Sequence, residues 1–192
     1  LDVETKQIKT IAQGVRNSVG FDFHPSTQAL WFSDNGRDMM GDDIPPDEIN
    51  RVSKENEHFG FPYVHAGAIA DPEFGKGKNI SDYSPPALAL GAHVAPLGIH
   101  FYTGKQFPGS YKEQLFVAEH GSWNRTKKSG YKVAVANVEQ GRITKYTPFI
   151  TGFMHNETTF GRPVAFAQLN DGSLLISDDY ANVIYRVSYK KN

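Results

Sequence analysis

Apolar and polar positions alternate in short runs along this chain, and the runs recur in the same order three times. The first set is Ser18-Val19-Gly20-Phe21-Asp22-Phe23-His24-Pro25, a turn, then Ala29-Leu30-Trp31-Phe32-Ser33-Asp34. The second is Leu97-Gly98-Ile99-His100-Phe101-Tyr102, a turn, then Gln114-Leu115-Phe116-Val117-Ala118-Glu119. The third is Pro163-Val164-Ala165-Phe166-Ala167-Gln168, the turn Asn170-Asp171-Gly172, then Ser173-Leu174-Leu175-Ile176-Ser177-Asp178. A rough period of two, broken by hydrophilic turns, predicts a strand pair in each. A third strand follows in every set: Glu48-Ile49-Asn50-Arg51-Val52, Tyr131-Lys132-Val133-Ala134-Val135 and Val183-Ile184-Tyr185-Arg186-Val187.

A fourth, outer strand repeats as well. Asp2-Val3-Glu4 leading to Ile8-Lys9-Thr10-Ile11-Ala12-Gln13-Gly14 parallels Asn137-Val138-Glu139 leading to Phe149-Ile150-Thr151-Gly152. Four-stranded units in series with almost no helical periodicity predict an all-β fold, a β-propeller, with about three blades in this chain. A two-sheet sandwich also offers many strands but does not account for the repeated outer strand. The first strand group reads as the tail of a blade that begins upstream. Propellers close with roughly four to eight blades, so three leave a ring open, with exposed sheet edges. The expectation is one domain over residues 1–192, the C-terminal half of a single propeller completed by a missing N-terminal half or by a second copy. The stretch of about residues 58–91 is rich in Gly and Pro, lacks periodicity, and reads as a long functional or covering loop.

Composition narrows the function. Hydrophobic residues at 39% and aromatics at 12% are those of a globular protein. A formal net charge of −1 without a basic stripe argues against a nucleic-acid partner. No apolar run is long enough for a membrane span. The absence of cysteine excludes disulfides and thiolate metal sites. The chain opens Leu1-Asp2-Val3-Glu4, with neither an initiator Met nor a signal peptide, as a processed or truncated product would.

Candidate chemistry gathers where blades start. Arg16-Asn17 precedes the first inner strand, where an arginine fork and an amide can fix a planar anion; pairing with a carboxylate and capping a turn are the structural alternatives. Arg162, before the last inner strand, stands in the same place as Arg16, so two arginines are expected to converge on the channel. The loop Asn35-Gly36-Arg37-Asp38 through Gly41-Asp42-Asp43 and Asp47-Glu48 is acidic and holds glycine, a composition that can supply oxygens to calcium but is common on surfaces. His120-Gly121-Ser122-Trp123-Asn124-Arg125 can form a platform for a flat ligand, or a surface turn over a packed Trp123. Arg51 and Arg186 recur at one blade position and read as structural, and Ser33-Asp34 and Ser177-Asp178 as strand closures. The chain has no GxSxG elbow, HExxH pair or P-loop.

Together, GVRNSVGFDFHP, LWFSDNGRD, DEINRV, HFGFPYVHAG, HVAPLGIHFYTG, LFVAEHGSWNR, GYKVAV and GRPVAFAQLNDGSLLISDDYANVIYRV resemble the glucose/sorbosone dehydrogenases. These are six-bladed propellers dependent on pyrroloquinoline quinone (PQQ) and calcium; the match runs in order through essentially the whole chain, to the C-terminal part of such a protein. HGSWNR resembles the sorbosone-type, or aldose sugar dehydrogenase, branch. The resemblance implies oxidation of a sugar at its anomeric carbon, with hydride passing to the quinone and onward to an electron acceptor. It implies that Arg16 and Asn17 contact PQQ, with Arg16 polarising the quinone carbonyl, and that the backbone carbonyls of Gly36 and Arg37 bind calcium. Arg162 falls near the cofactor carboxylates, His93 at a cofactor-contacting place, and Trp123 and Arg125 in a loop that otherwise supplies a lysine.

There are departures. Ser18 replaces a proline, Val19 stands where some members use a glutamine, and Pro163-Val164 removes a second arginine. The general-base histidine belongs to the N-terminal half and has no match here, so the piece alone is expected to be inactive. The resemblance implies export to the periplasm or outside the cell. A non-catalytic propeller that binds a ligand or partner is the alternative; a calcium-dependent lactonase would need carboxylates converging on the channel, against which the arginines argue.

Overall fold

The computed structural model describes residues 1–190. Three antiparallel sheets follow one another along the chain. Blade one holds β1 (Phe21–Phe23), β2 (Leu30–Asp34), β3 (Pro46–Arg51) and β4 (Leu88–Ala92), paired in that order. Blade two holds β5 (Pro96–Phe101), β6 (Leu115–Glu119), β7 (Lys132–Glu139) and β8 (Arg142–Ile150). Blade three holds β9 (Pro163–Gln168), β10 (Leu174–Asp178) and β11 (Val183–Val187). The expected propeller is what forms, as three consecutive blades. The innermost strands are neighbours, with β5 packed against both β1 and β9.

The outer strands differ from the sequence reading. Blade one takes its fourth strand from Leu88–Ala92, at the end of the stretch assigned to the insertion, through the pairs Glu48–Ala89 and Ile49–Leu88. Residues 1–11 hold no strand, and Ala12–Gln13 pairs in parallel with Glu57–His58. The remaining insertion folds on itself around Asp71, whose carboxylate accepts the Glu73 and Phe74 amides, His65 Nε2 and Arg37.

The core lies between blades, because blade two buries one face against blade one and the other against blade three. Trp31, Ile49, Leu90, Ile99, Phe101, Leu115 and Val117 fill the seam between blades one and two, with Ile143 and Tyr146 of β8 packed on it. Tyr102, Phe107, Phe116, Val133, Leu174 and Ile176 fill the seam between blades two and three. Each large side chain so buried contributes roughly 1.5–3 kcal/mol.

The inner strands meet too closely for side chains. A Cβ on Gly20 would lie 2.2 Å from the Leu97 carbonyl oxygen, and one on Gly98 would lie 2.6 Å from that of Val164. Strand pairing sets Gly98 in blade two and Ala165 in blade three at the place of Gly20. Ser33 Oγ accepts the Gly20 amide at 3.1 Å and donates to the Leu97 carbonyl of the next blade at 2.6 Å. Ser177 accepts the Ala165 amide in the same way, at 3.2 Å. The seam thus joins successive blades backbone to backbone on the channel side.

Candidate functional site

The starts of the inner strands and the ends of the second strands share one face of the propeller, and the loops between them enclose a cleft of about 110 Å³. Asp34 ends β2 and is buried. Its carboxylate accepts the Arg16 amide at 3.0 Å, the Asn17 amide at 2.7 Å and the Ser18 hydroxyl at 3.2 Å. These bonds set the Arg16-Asn17 pair at the rim. Burial nevertheless raises the Asp34 carboxyl above its ordinary range. The second serine–aspartate pair differs: Asp178 accepts the Tyr180 and Ala181 amides and closes its own turn.

Arg16 donates to the Asn35 carbonyl at 3.2 Å and to Asp38 at 2.7 Å. The other Asp38 oxygen accepts Asn124 Nδ2 at 3.1 Å, which brings the blade-two loop to the blade-one rim. Asn124 Oδ1 is buried without a partner in this wall.

Asp47, near the start of β3, spans the floor. Its two oxygens accept the Gly36 and Ala95 amides, each at 2.7 Å, tying the β2–β3 loop to the β4–β5 connection. Burial pushes its carboxyl up to about 6. Beside it, burial pushes Glu48, which accepts the Ala66 amide at 2.7 Å, up to about 7. His93 stands at φ 60°, with Nε2 2.7 Å from the Gly41 carbonyl.

The structure brings Arg16, Asn17, Gly36, His93 and Trp123 together on this cleft. Trp123 is 72% exposed, so it forms the open wall and is not packed under its loop. The Arg37 side chain pairs with Asp71 and Glu73 of the insertion, while the role expected of Arg37 belongs to its backbone carbonyl. Two other candidate side chains turn away. Arg125 donates to the Asp42 carbonyl and Asp43, clamping one loop to another. Arg162 donates to the His120 and Gly121 carbonyls and lies over the Tyr131 ring, 5.4 Å from its centroid. Strand register sets Arg162 at the place of Asn17 and not of Arg16, so the two arginines do not converge on one point.

Asp34, Asp47 and Asn124 are site residues that sequence reasoning undervalued. The recurrence of Ser33-Asp34 and Ser177-Asp178 was the available signal for the first, although it points to a common role that the two do not share.

The profile of the TrAA12-like family matches residues 66–190. A protein of Borreliella burgdorferi, itself described only as uncharacterized, is 48% identical over 195 residues, covering all of this chain and 52% of that protein. The pyrroloquinoline quinone-dependent pyranose dehydrogenase of Coprinopsis cinerea is 32% identical over 121 residues, 52% of this chain and 16% of the enzyme. The chain thus spans about half the length of the first relative and far less of the second. Among solved structures, the Trichoderma reesei Carbohydrate-Active Enzymes Family AA12 protein superposes with TM-score 0.77 at 22% identity, over 92% of this chain and 53% of that one. The Escherichia coli soluble aldose sugar dehydrogenase superposes with TM-score 0.69 at 20% identity, over 97% and 50%. These likenesses establish the propeller fold. By the match over residues 66–190, the chain belongs to the TrAA12-like family.

Proposed function

We propose that this chain carries the C-terminal part of a sugar-oxidising, PQQ-dependent dehydrogenase, and that the cleft holds one side of the cofactor together with calcium. The charge of the wall carries the reading. Arg16 is its one arginine, and it is matched by Asp38, which leaves Asp47 without a cationic partner and Asn124 Oδ1 without a donor. An anionic quinone alone would be repelled here, whereas a divalent cation offsets the carboxylates and finds oxygen ligands. A cation at this rim would take carbonyl and amide oxygens, among them those of Gly36 and Arg37.

When bound, PQQ supplies the hydride acceptor. The residues of this chain bind and orient. Arg16, held by Asp34 through its backbone and by Asp38 through its side chain, presents a fixed positive charge to an electronegative edge of the ligand. Asn17 adds an amide on the same strand start, and the exposed Trp123 indole offers a flat face on which a planar ring system can lie. Asp47 keeps the Gly36 and His93 loops at one spacing. The general base comes from the part of the protein preceding this sequence. The sugar and the electron acceptor reach the open face, and the whole protein works outside the cytoplasm.

Isothermal titration of PQQ into this chain, with calcium and with chelator, tests the reading. The expected result is binding that needs calcium and that quenches the exposed Trp123; no heat and no quenching under either condition would refute it. A second reading, a propeller that binds a ligand without redox chemistry, is favoured by the turning away of Arg125 and Arg162. It predicts that full-length, PQQ-loaded protein reduces no dye with any sugar.

A further inference from the structure

The loop that joins β2 to β3 is tied to the two blades along its length. Gly36 donates to Asp47, Asp38 accepts Arg16 and Asn124, and the Gly41 carbonyl lies 2.7 Å from His93 Nε2. Asp42 accepts Arg125 and the Thr126 amide. Arg37 is tied elsewhere. Its guanidinium pairs with Asp71 and, at 3.3 Å, with Glu73 of the insertion, and it lies 5.9 Å from the centre of the Phe74 ring. The carbonyl oxygens of Gly36 and Arg37 accept no hydrogen bond among the described residues.

The partner of Arg37 is the residue around which the insertion is organised. The Asp71 side chain is fully buried. Its Oδ1 accepts the Glu73 amide at 2.9 Å and the Phe74 amide at 2.8 Å, and its Oδ2 lies 2.8 Å from His65 Nε2. Its own amide donates to the Tyr63 carbonyl at 2.8 Å, and its carbonyl accepts the Gly75 amide at 2.9 Å. A buried carboxylate with this many donors cannot shift without stranding several of them. The insertion is in turn fixed on blade one. Phe59 packs edge-on against Phe32, with centroids 5.1 Å apart, and the Ala66 amide donates to Glu48.

Two consecutive carbonyls without donors are therefore held from both sides. Asp47 grips the Gly36 amide from the floor of the cleft, and Asp71 grips the Arg37 side chain from the insertion. A hard cation takes carbonyl oxygens as ligands, and its affinity depends on how rigidly they are presented. Holding them in place beforehand removes the cost of ordering them on binding.

We propose that the insertion positions the cation loop, with Asp71 holding Arg37 so that the Gly36 and Arg37 carbonyls stand ready for calcium, and that calcium in turn tightens the insertion. Asp71 is a positioning residue and not a ligand. The second half follows from the first, because a coupling between two places acts equally in both directions. The inference rests on the reading of the cleft as a site for calcium and PQQ. The exposed run Lys76-Gly77-Lys78 follows directly on the turn that Asp71 closes, and it reports the state of the insertion.

Trypsin cleavage after Lys76 and Lys78, followed by mass spectrometry in the presence of PQQ, tests the coupling. In the parent chain calcium is expected to slow both cuts relative to chelator. Arg37→Ala keeps the carbonyl and removes the grip of Asp71. Its calcium Kd, from titration calorimetry with PQQ present, should rise about tenfold or more, and calcium should no longer slow the two cuts. Arg37→Lys, which returns a charge to Asp71 without the fork, should recover part of both effects. Circular dichroism establishes that each variant is folded; if Arg37→Ala is not, cleavage of the parent chain decides alone. An unchanged calcium Kd in folded Arg37→Ala, or cuts that calcium does not slow in the parent chain, overturns the proposal and leaves the cofactor reading in place. A parent chain that binds no calcium removes both.

Discussion

Replacing Asp47 by alanine tests the view that one buried carboxylate holds the two sides of the cleft. The substitution strips the acceptor from the Gly36 and Ala95 amides. Two half-buried N–H groups without partners cost at most about 2–6 kcal/mol together. Against this, the variant no longer confines a charge that burial disfavours, since the carboxyl is pushed up from 3.8 to about 6. At pH 7 that relief amounts to about 3 kcal/mol, taking ~1.36 kcal/mol per pKa unit. The net loss at pH 7 is therefore modest, at most about 3 kcal/mol. The sign of the pH effect follows from linkage. An acid whose folded value is raised binds its proton more tightly when folded, so its contribution is complete below about 3.8 and is lost as pH rises through about 6. The parent protein draws about 1.4 kcal/mol more from Asp47 at pH 5 than at pH 7. D47A should accordingly be more destabilising at pH 5 by that amount. Urea titrations at the two pH values, at one protein concentration and with chelator present, measure this through tryptophan fluorescence. An equal or smaller loss at pH 5 would refute the account.

Tyr102→Phe should lower the urea midpoint by the equivalent of ~2–4 kcal/mol. The phenolic oxygen donates to the Gly172 carbonyl and accepts the Gln106 and Phe107 amides, and all three lose their partner while the ring stack on Phe107 remains. Gly98→Val should cost ~1–3 kcal/mol or more by forcing blades two and three apart, whereas Gly109→Ala, with open space around it, should stay within ~0.5 kcal/mol. Trp123→Ala should leave the melting temperature nearly unchanged, because the ring is exposed, while weakening PQQ binding at least tenfold in titration calorimetry.

Much of this arrangement was legible because propeller strands repeat. The inner, second and third strands of each blade announce themselves by alternation, and the third strands recur even to Arg51 and Arg186. The fourth strand of blade one did not, because Leu88-Ala89-Leu90-Gly91-Ala92 follows a proline pair and carries little β preference of its own. Its ladder with β3, nearly forty residues away, makes it a strand. The N-terminal segment has the pattern of a strand, yet of it only Ala12–Gln13 forms a ladder among the described residues. Arg16 and Trp123 could be placed at the cleft from their position at a blade start and in a loop on the same face. The direction of Arg162 could not, since carbonyls at His120 and Gly121 decide it. Asp47 is the plainest case: its partners lie 11 and 48 residues away, and nothing local marks it as different from Asp42 or Asp43.

The glycine and serine seam also gives the row of blades a direction. Ser33 donates forward to Leu97, and Ser177 offers the same hydroxyl beyond blade three, while the matching carbonyl at the other end of the row is that of Val19. The two sides of the row are therefore unlike, hydroxyl donors on one and carbonyl acceptors on the other. Ala165 carries a methyl group at the place where Gly20 and Gly98 carry none, so a close backbone approach like those at Gly20 and Gly98 would meet a side chain there.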